Sequence, residues 1–438
     1  SQRSAPAQRV IRILAGAARP LAMAELQAAC AALAEVSGHV GAAPAEELPG
    51  APVLAAGLDE AVEHGLVVLA PHGHPTFPDR RRRSPDPPAF RAAIRHELVG
   101  RAIERALLPT QRRHLHMALA TALPDPSEVV VHRLAAHEPS AAARAALDAA
   151  DLPEAADAPA VAFEHLERAL EIGTPGRAVG GLALRAAEAA LAADQPQRAV
   201  ALAEWALALD GAGADAVRLH ERLGRYRRAS GDGDGGLALI RRAADLAGAA
   251  GEAASPEARL DGATALASLA HAEMLDGLLV DAQRHATEAI EAARALGEAA
   301  RGVEVHALTT LGVIHGWGGD PEHGIALMRR ALAAAEALGD LDEQFRAYAN
   351  LTTVLDVLGR REDALAVSAE GIEFARRVGQ ETVSGNFLRG NAAESLFRLG
   401  RWTEAVALSR AALEWSGTGI GALNAILSLA MIEIERSA

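Results

Sequence analysis

Two side chains that often carry catalysis or bind metals, lysine and cysteine, are absent or nearly absent from this sequence of 438 residues. All 43 basic residues are arginine, so a P-loop lysine, a Schiff-base lysine and a lysine general base are excluded. The single cysteine, Cys30, excludes an intrachain disulfide framework and a cysteine-based zinc site. No Gly-x-Ser-x-Gly segment occurs. We therefore expect a protein that is not an enzyme and that has no cofactor.

Histidines and aspartates were also considered as metal ligands. Two close histidine pairs occur, His72 with His74 and His114 with His116. Neither pair lies close to a cysteine, and the sequence has no His-Glu-x-x-His pattern, so we expect no metal there. Asp232 and Asp234 resemble the start of a calcium loop, but position twelve of that loop is Ala243 instead of a bidentate glutamate. Calcium binding is therefore excluded as well.

Charge is distributed unevenly along the chain, which has a net charge of -14. Residues 1–125 have 14 arginines against 12 acidic residues, a net of +2, and the remainder has 29 against 45, a net of -16. Because phosphate backbones bind accumulated positive charge, this balance argues against nucleic acid as a partner. The arginine run at 80–83 lies in a proline-rich segment and is interpreted as a solvated wing, with nucleic-acid contact as the alternative.

The sequence also bears on the compartment. No run of 18 apolar residues occurs, and the N-terminal residues do not have the layout of a secretory signal peptide. A single cysteine is typical of proteins in a reducing compartment. We expect a cytoplasmic protein without a membrane partner.

Small residues recur at intervals of 37 to 46 residues in the second two thirds of the chain, a spacing typical of helical-hairpin repeats. We call the first series the anchor residues: Ala162, Ala199, Gly236, Ala282, Gly324, Ala364 and Ala405. Seven residues after each anchor lies a crossing residue: Ala169, Ala206, Ala243, Ala289, Ala331, Gly371 and Ala412. Twelve residues before the anchors, from the second onward, lie Ala187, Gly224, Ala270, Gly312, Thr352 and Ala393.

This periodicity predicts one pair of helices per repeat. Five residues before the later anchors the sequence has Asp194, Gly231, Gly277, Gly319, Gly359 and Gly400. Glycine there would end the first helix in a left-handed cap, and small residues would let helix axes approach within about 8–10 Å. Segments Leu358–Leu365 and Leu399–Val406 resemble tetratricopeptide repeats, in a longer variant found in bacterial signal-transduction regulators. We predict a tetratricopeptide-like α-solenoid of about seven helix pairs over residues 140–438.

In such stacks the first helix of each pair lines a concave groove. Residues eighteen, fourteen and eleven positions before an anchor share one helical face and should line that groove. The candidates are Arg218, Arg222, Arg225, Thr264, Ser268, His271, His306, Thr310, Val313, Arg346, Asn350, Thr353, Phe387, Asn391 and Glu394, with Trp317 and Arg398 flanking them. The arginines could fork onto a carboxylate or phosphate, and Asn and aromatic side chains could hold an apolar ligand. The alternative is a solvated face whose arginines pair with acids such as Glu221.

Residues 1–94 have a different pattern. Apolar periodicity predicts helices over 7–17, 23–35 and 53–64, followed by a strand at 66–69 and a second strand at 76–77 or 90–94. Helices followed by a two-stranded wing predict a winged-helix-like domain. Two further helices, over 95–107 and 111–123, fall in a connecting region, 95–139, that leads to the repeats. The predicted fold class is mainly all-α.

Several segments resemble the large ATP-binding LuxR-type transcriptional regulators of actinobacteria, which are STAND-class proteins. They are Glu60–Val67, Phe90–Val99, Leu107–Pro109, Arg112–His116 and Gly390–Trp402, in the same order as in that family. The resemblance implies a winged helix and a helical-repeat sensor from a regulator that also has an NTPase module and a C-terminal helix-turn-helix. Neither of those two modules is recognisable here, because no G-x-x-x-x-G-K-[ST] loop is present and no helix-turn-helix follows residue 438.

The function that this resemblance implies is regulatory. A small effector or a partner protein would bind the concave face of the repeats and control the absent NTPase and DNA-binding modules. The winged helix would act as an internal brace without touching nucleic acid. The alternative is a stand-alone tetratricopeptide scaffold that binds a peptide or a partner protein.

Overall fold

The computed structural model describes residues 3–38, 51–71, 90–152, 158–173, 179–210, 213, 215–251, 254–415 and 419–437. The chain divides into two compact units, residues 1–206 (unit 1) and 207–438 (unit 2). In the described ranges the fold is mainly α-helical, with one small sheet in unit 1.

Unit 1 begins with the segment predicted as a winged helix. Its helices and strands are α1 (Ala5–Ala17), β1 (Leu21–Ala22), α2 (Met23–Gly38), α3 (Ala51–Glu63), β2 (Val67–Pro71) and β3 (Phe90–Ile94). They are followed by α4 (Glu97–Ala106), α5 (Pro109–Ala122), α6 (Pro126–Ala135), α7 (Pro139–Ala150), α8 (Pro159–Ile172) and α9 (Val179–Ala192). Helix α10 (Pro196–Asp210) ends just beyond the division between the units.

Unit 2 consists of helices joined by short turns. They are α11 (Ala216–Ala229), α12 (Gly233–Ala250), α13 (Pro256–Leu275), α14 (Leu279–Leu296), α15 (Arg301–Gly318), α16 (Pro321–Leu338), α17 (Leu341–Val357), α18 (Arg361–Arg377), α19 (Asn386–Arg398), α20 (Trp402–Trp415) and α21 (Gly419–Ser437). A 3-10 turn at Gly297–Ala300 precedes α15, and a π-turn at Glu381–Gly385 precedes α19.

The sheet of unit 1 has the strand order β1-β3-β2, and both pairings are antiparallel. Ala92 in β3 lies opposite Leu21 on one side and Leu69 on the other. The core beside the sheet is built from apolar side chains of α1, α2 and α3, such as Leu14, Leu26 and Leu58. Strand β1, only two residues long, was not predicted, and the alternative second strand at 76–77 lies outside the described residues.

The crossing residues pack between helices as predicted. All seven are buried, from Ala169 to Ala412. Two of the small residues twelve positions before the anchors must be glycine, because a Cβ on Gly224 would lie 2.7 Å from the Gly236 carbonyl oxygen and one on Gly312 would lie 2.9 Å from that of Gly324. The anchors are buried too, except Ala162, which is partly exposed. The helix pairs therefore meet through side chains no larger than methyl groups, and the fold is a tetratricopeptide-like stack of repeats.

The turns within the pairs also match the prediction. Each predicted turn residue has a positive φ: Asp194, Gly231, Gly277, Gly319, Gly359 and Gly400. Gly319, at φ 104, caps α15 in the left-handed region that a side chain rarely adopts. These caps end each first helix at a fixed place and so set the register of the side chains described next.

Candidate binding surface on the first helices of unit 2

The predicted lining residues lie on the first helix of each pair in unit 2, which are α11, α13, α15, α17 and α19. We call the surface that they form the lining surface. Each of these helices packs against the first helix of the next pair. Side chains from neighbouring repeats can therefore meet across the lining surface, and at its centre they do.

Arg346 of α17 is the centre of a polar network that joins three helices. Its Nη2 donates to Thr310 Oγ1 at 2.6 Å and to His271 Nδ1 at 3.1 Å. Its Nη1 donates to the backbone oxygen of His306 at 2.9 Å and to the Glu343 carboxylate at 3.3 Å. The Arg346 side chain is 16% exposed, so most of the guanidinium is shielded from solvent. Four predicted lining residues, Arg346, His271, His306 and Thr310, are thus brought together.

The hydrogen bonds fix the protonation of the two histidines. A guanidinium can only donate, so His271 Nδ1 accepts and the proton of the neutral ring is on Nε2. Burial, followed by the charge of Arg346, holds the pKa of His271 well below its ordinary value. His306 has the other tautomer, because its Nδ1 donates to Glu343 at 2.7 Å. Burial lowers its pKa as well, helped by Arg346 and opposed by Glu343.

Glu343 supplies the negative charge of the network. Burial alone would raise the pKa of this carboxyl, but the hydrogen bonds from His306 and Arg346 and the positive charge of Arg346 outweigh it and lower the pKa well below its ordinary value. The carboxylate is therefore ionised at neutral pH. It compensates the guanidinium of Arg346, which would otherwise be a poorly solvated charge.

The arginines of α11 are paired. Their partners are Asp215 for Arg218 and Glu221 for both Arg222 and Arg225. Glu221 is only 2% exposed and also accepts a hydrogen bond of 2.6 Å from Ser268 Oγ. Its contacts with Arg222 and Arg225 are longer, 3.5 Å and 3.8 Å. The expected pairing with Glu221 is thus present, although the Arg225 side chain remains 46% exposed.

The predicted residues of α17 and α19 differ in accessibility. Asn350 Nδ2 donates to the Arg346 backbone oxygen at 2.8 Å, and Thr353 is exposed. Asn391 is 8% exposed and accepts from Asn424 Nδ2 at 3.1 Å. Phe387 packs against the hydrophobic core of the central repeats. Asn350 and Thr353 therefore belong to the open part of the lining surface, whereas Asn391 and Phe387 mainly join helices.

The two flanking residues are solvent-exposed. Trp317 lies in the last turn of α15 and is 43% exposed. Arg398 is paired with Glu394 at 2.6 Å and lies 3.5 Å from Asp356. An organic partner could therefore reach the Trp317 indole directly, but would have to compete with carboxylates for Arg398.

Several residues of this surface were not predicted from the sequence. Glu343 was missed although it lies three residues before Arg346, a spacing at which opposite charges pair on a helix. Leu275 and Val357 were missed although, like Trp317, each lies seven residues before an anchor. They are 57% and 65% exposed, so three consecutive repeats place apolar side chains at one level of the stack.

The other histidine candidate lies in unit 1 and forms an internal pair. His116 Nδ1 lies 3.1 Å from His132 Nδ1, with both side chains nearly buried. Burial, followed by the charge of His116, lowers the pKa of His132 to about 4. Among the described residues no group of three or more His, Cys, Asp or Glu side chains is arranged to hold a metal. His72, His74 and the arginine run at 80–83 lie outside the described residues.

Two further observations concern the single cysteine and the length and polarity of the helices. Cys30 is buried, and burial raises the pKa of its thiol to about 11. In the parts of the chain that the structure describes, no helix is both long enough and apolar enough to pass through a bilayer.

Comparison with known proteins gives similarities of fold. A Rap protein in complex with competence and sporulation factor has a TM-score of 0.47 and 13% identity over 77% of this chain and 95% of that one. The quorum sensor NprR of B. thuringiensis, in its apo form, gives 0.44 and 12% over 72% of this chain and 79% of that one. No protein-family model and no curated protein matches the chain.

A third similar structure is a signal-transduction ATPase with numerous domains from Pyrococcus horikoshii, which carries a tetratricopeptide repeat sensor. Its TM-score is 0.41 with 14% identity, and the match covers 99% of this chain but only 63% of that protein. The assignment of a tetratricopeptide-like fold to this chain rests on its own helix pairs, crossings and turns.

Proposed function

We propose that this protein is a regulatory sensor whose lining surface binds an effector or a partner protein. The observation that carries the proposal is the network around Arg346. It uses charged and polar groups from three repeats where apolar packing would hold the helices together equally well. A polar network of this kind fixes the relative positions of the repeats. An effector that bound one arrangement of those repeats more tightly than another would shift the equilibrium between the two arrangements.

The open part of the surface offers a partner several kinds of contact. Arg225 provides guanidinium donors beside the network, Trp317 provides an indole face, and Thr353 provides an exposed hydroxyl. An aromatic and an arginine next to a preorganised polar floor are typical of binding hot spots. Ser268, whose hydroxyl lies next to the Glu221 carboxylate on this surface, is buried together with that carboxylate, so we propose binding without catalysis.

We further propose that residues 1–94 form a winged-helix-like unit that braces neighbouring modules. The element order α1-β1-α2-α3-β2-β3 and the antiparallel sheet support this proposal. Helix α3 carries Asp59, Glu60 and Glu63 and no basic residue, which disfavours its insertion into a phosphate-lined groove. The unit would accordingly contact protein and not nucleic acid.

We also propose that these repeats act within a LuxR-type regulator in the cytoplasm. The support is the order of the segments from Glu60–Val67 to Gly390–Trp402 along the chain. In that context, effector binding on the lining surface would release or restrain the NTPase module and, through it, a DNA-binding module. Those activities and their nucleotide would belong to the neighbouring modules.

A second candidate is a scaffold that binds a peptide or a partner protein. The exposed residues of the surface extend from Arg218 on α11 to Arg398 on α19. Five first helices at about 8–10 Å spacing give a surface of roughly 35 Å, which is longer than most small molecules. An extended partner would use this length better than a metabolite would.

A thermal-shift screen tests the proposal with two libraries, one of metabolites and one of synthetic peptides. A ligand present at 100 times its dissociation constant should add about 2.7 kcal/mol of stability. For each hit, Trp317→Ala and Arg225→Gln should weaken binding. The matched controls are Trp205→Ala, at an equally exposed tryptophan of 41% in α10, and Arg376→Gln in α18. If both control variants weakened the binding of a hit as much as the lining variants did, the assignment of the lining surface as the binding site would be wrong.

A further inference from the structure

A cavity of about 760 Å³ lies in unit 2 among α12, α13 and α14. Its floor is the first helix α13, with Leu266 and Leu269, and its two walls are the second helices α12 and α14. His271 of the same helix α13 belongs to the lining surface. None of the predicted residues of the lining surface lines this cavity. The volume falls within the range of ligand pockets in proteins, about 300–1,000 Å³.

The sequence explains why the walls do not close over the floor. The step from Gly236 to Ala282 is the longest between anchors, and α12, α13 and α14 have 18, 20 and 18 residues. At the end where α12 finishes, the facing side chains are Ala247, Gly248, Ala292 and Ala295. Methyl groups and hydrogens cannot fill the gap between the wall helices, so an apolar slot remains above the floor.

The opposite end of the cavity is charged. Glu273, 1% exposed on the floor, accepts from Arg241 Nη2 at 3.2 Å and from His285 Nδ1 at 2.6 Å. One wall thus supplies Arg241 and the other His285, and together they neutralise the buried carboxylate. These contacts bridge α12 and α14 at that end of the cavity.

Among the remaining charged side chains at that end of the cavity, the acidic ones outnumber the basic ones. Arg284 lies between two carboxylates, 3.1 Å from Asp281 and 3.3 Å from Glu288. Asp245 lines the same cavity and has no ion pair or hydrogen bond from its side chain to another described residue. The one lining arginine not so compensated, Arg259, lies in the first turn of α13, about 21 Å along the helix from Glu273.

We propose that this cavity binds an amphiphilic small molecule with a cationic amine head and an apolar body. The amine would lie between Asp245 and Glu288, where carboxylates outnumber cations. The apolar body would occupy the slot above Leu266, lined by Ala247 and Gly248. The net charge of -14 would also attract a cation to the protein. This site is separate from the lining surface, and the proposal does not depend on the function proposed for that surface.

Isothermal titration of the full chain with n-octylammonium, octanoate and 1-octanol tests the proposal. Octylammonium should bind most tightly, and Asp245→Asn should weaken it about fivefold, the size expected for one partly exposed charge pair. Gly248→Leu should weaken it at least about tenfold by filling the slot. This variant should fold, because a Cβ on Gly248 meets no atom within 4 Å. The matched control for the charge is Glu291→Gln, an exposed acid of α14 that does not line the cavity.

Tighter binding of octanoate than of octylammonium, with loss of that binding in Arg259→Gln, would overturn the amine assignment. Binding of octylammonium that survives Gly248→Leu would overturn the site and would show association with the acidic surface only. Trp317→Ala and Arg225→Gln should leave octylammonium binding unchanged. Failure here is therefore distinguishable from failure of the function proposed for the lining surface.

Discussion

Two regions of unit 2 lie on different helices of the repeats and are held together by opposite chemistry: the crossing residues Ala289 and Ala331 belong to second helices, and the lining surface belongs to first helices. At the crossings, Ala289 and Ala331 are fully buried and present only methyl groups to the neighbouring helix. On the lining surface, Arg346 and Glu343 keep their charges while 16% and 14% exposed. Close packing of methyl groups holds the helices together at the crossings, and hydrogen bonds and ion pairs hold them together on the lining surface.

The difference shows which parts of the repeat are free to vary. A crossing position accepts only small side chains, because larger ones would separate the helix axes. A lining position accepts many side chains, provided that each buried charge has a partner. Recognition can therefore change along the lining surface while the stack is preserved, which is the property expected of a sensor.

The largest effect should come from a bulky residue at a crossing. We expect Ala331→Trp to reduce the free energy of unfolding by about 1–3 kcal/mol or more, because the ring would overpack a filled interface. Denaturant unfolding measures this loss. Ala333→Trp, two residues away at an exposed position, should change stability by less than about 0.5 kcal/mol. Equal stability of the two variants would mean that the crossing register is wrong.

The next effect concerns the centre of the polar network. Arg346→Met should cost about 1–3 kcal/mol, because Glu343 and Thr310 lose a charged donor in a place that water reaches poorly. The control Arg376→Met breaks an exposed ion pair with Glu373, and we expect no measurable change in chemical denaturation. A loss confined to the control variant would contradict a supporting role for the network.

A smaller effect should appear as acid sensitivity. The folded protein holds the pKa of His271 and His306 below the ordinary value of 6.5, so the unfolded chain binds more protons. The contribution of these two neutral histidines to the free energy of unfolding should be fully present above pH 6.5 and decrease as the pH falls below that value. His132 in unit 1, with a pKa of about 4, contributes with the same sign. His271→Gln should therefore flatten, without abolishing, the decline in melting temperature between pH 7.5 and 5. If the melting temperature of His271→Gln declined with pH as steeply as that of the unchanged protein, groups other than His271 would be responsible for the proton uptake.

The smallest effect on stability should come from the open part of the lining surface. Arg225→Gln removes a half-exposed ion pair at 3.8 Å, and we expect a change of about 0–1 kcal/mol. The same variant should nevertheless weaken binding of an effector found in the screen. If Arg225→Gln reduced stability but left the affinity for the effector unchanged, Arg225 would support the fold and would not contact the effector.

Much of the fold could be predicted because it repeats. The crossing residues and the glycine turns recur at a regular spacing, so each copy strengthens the prediction of the others. Strand β1 could not be predicted, because Leu21 and Ala22 are too few to show any periodicity and pair only through Ala92 and Arg91, about 70 residues away in the sequence.

The binding surface was predicted only in part. Helical spacing correctly placed His271, His306 and Arg346 where they meet, because the caps fix the rotation of each first helix. The pairing of the α11 arginines with Glu221 was also expected, whereas Glu343 was missed, because its contact with His306 joins two repeats and depends on how closely α15 and α17 pack. The cavity beside α13 depends on the separation of α12 and α14, which is a property of packing between repeats.

The central claim, that the lining surface receives the effector, can be tested by protection of a thiol. Cys30 is buried, so maleimide should label mainly a newly introduced cysteine. Thr353→Cys lies on the lining surface and Thr287→Cys on α14, and both threonines are exposed and donate to a backbone oxygen four residues earlier at 2.9 Å. We predict that a saturating effector slows labelling of T353C and leaves that of T287C unchanged. Equal labelling rates of T353C with and without the effector would contradict the account.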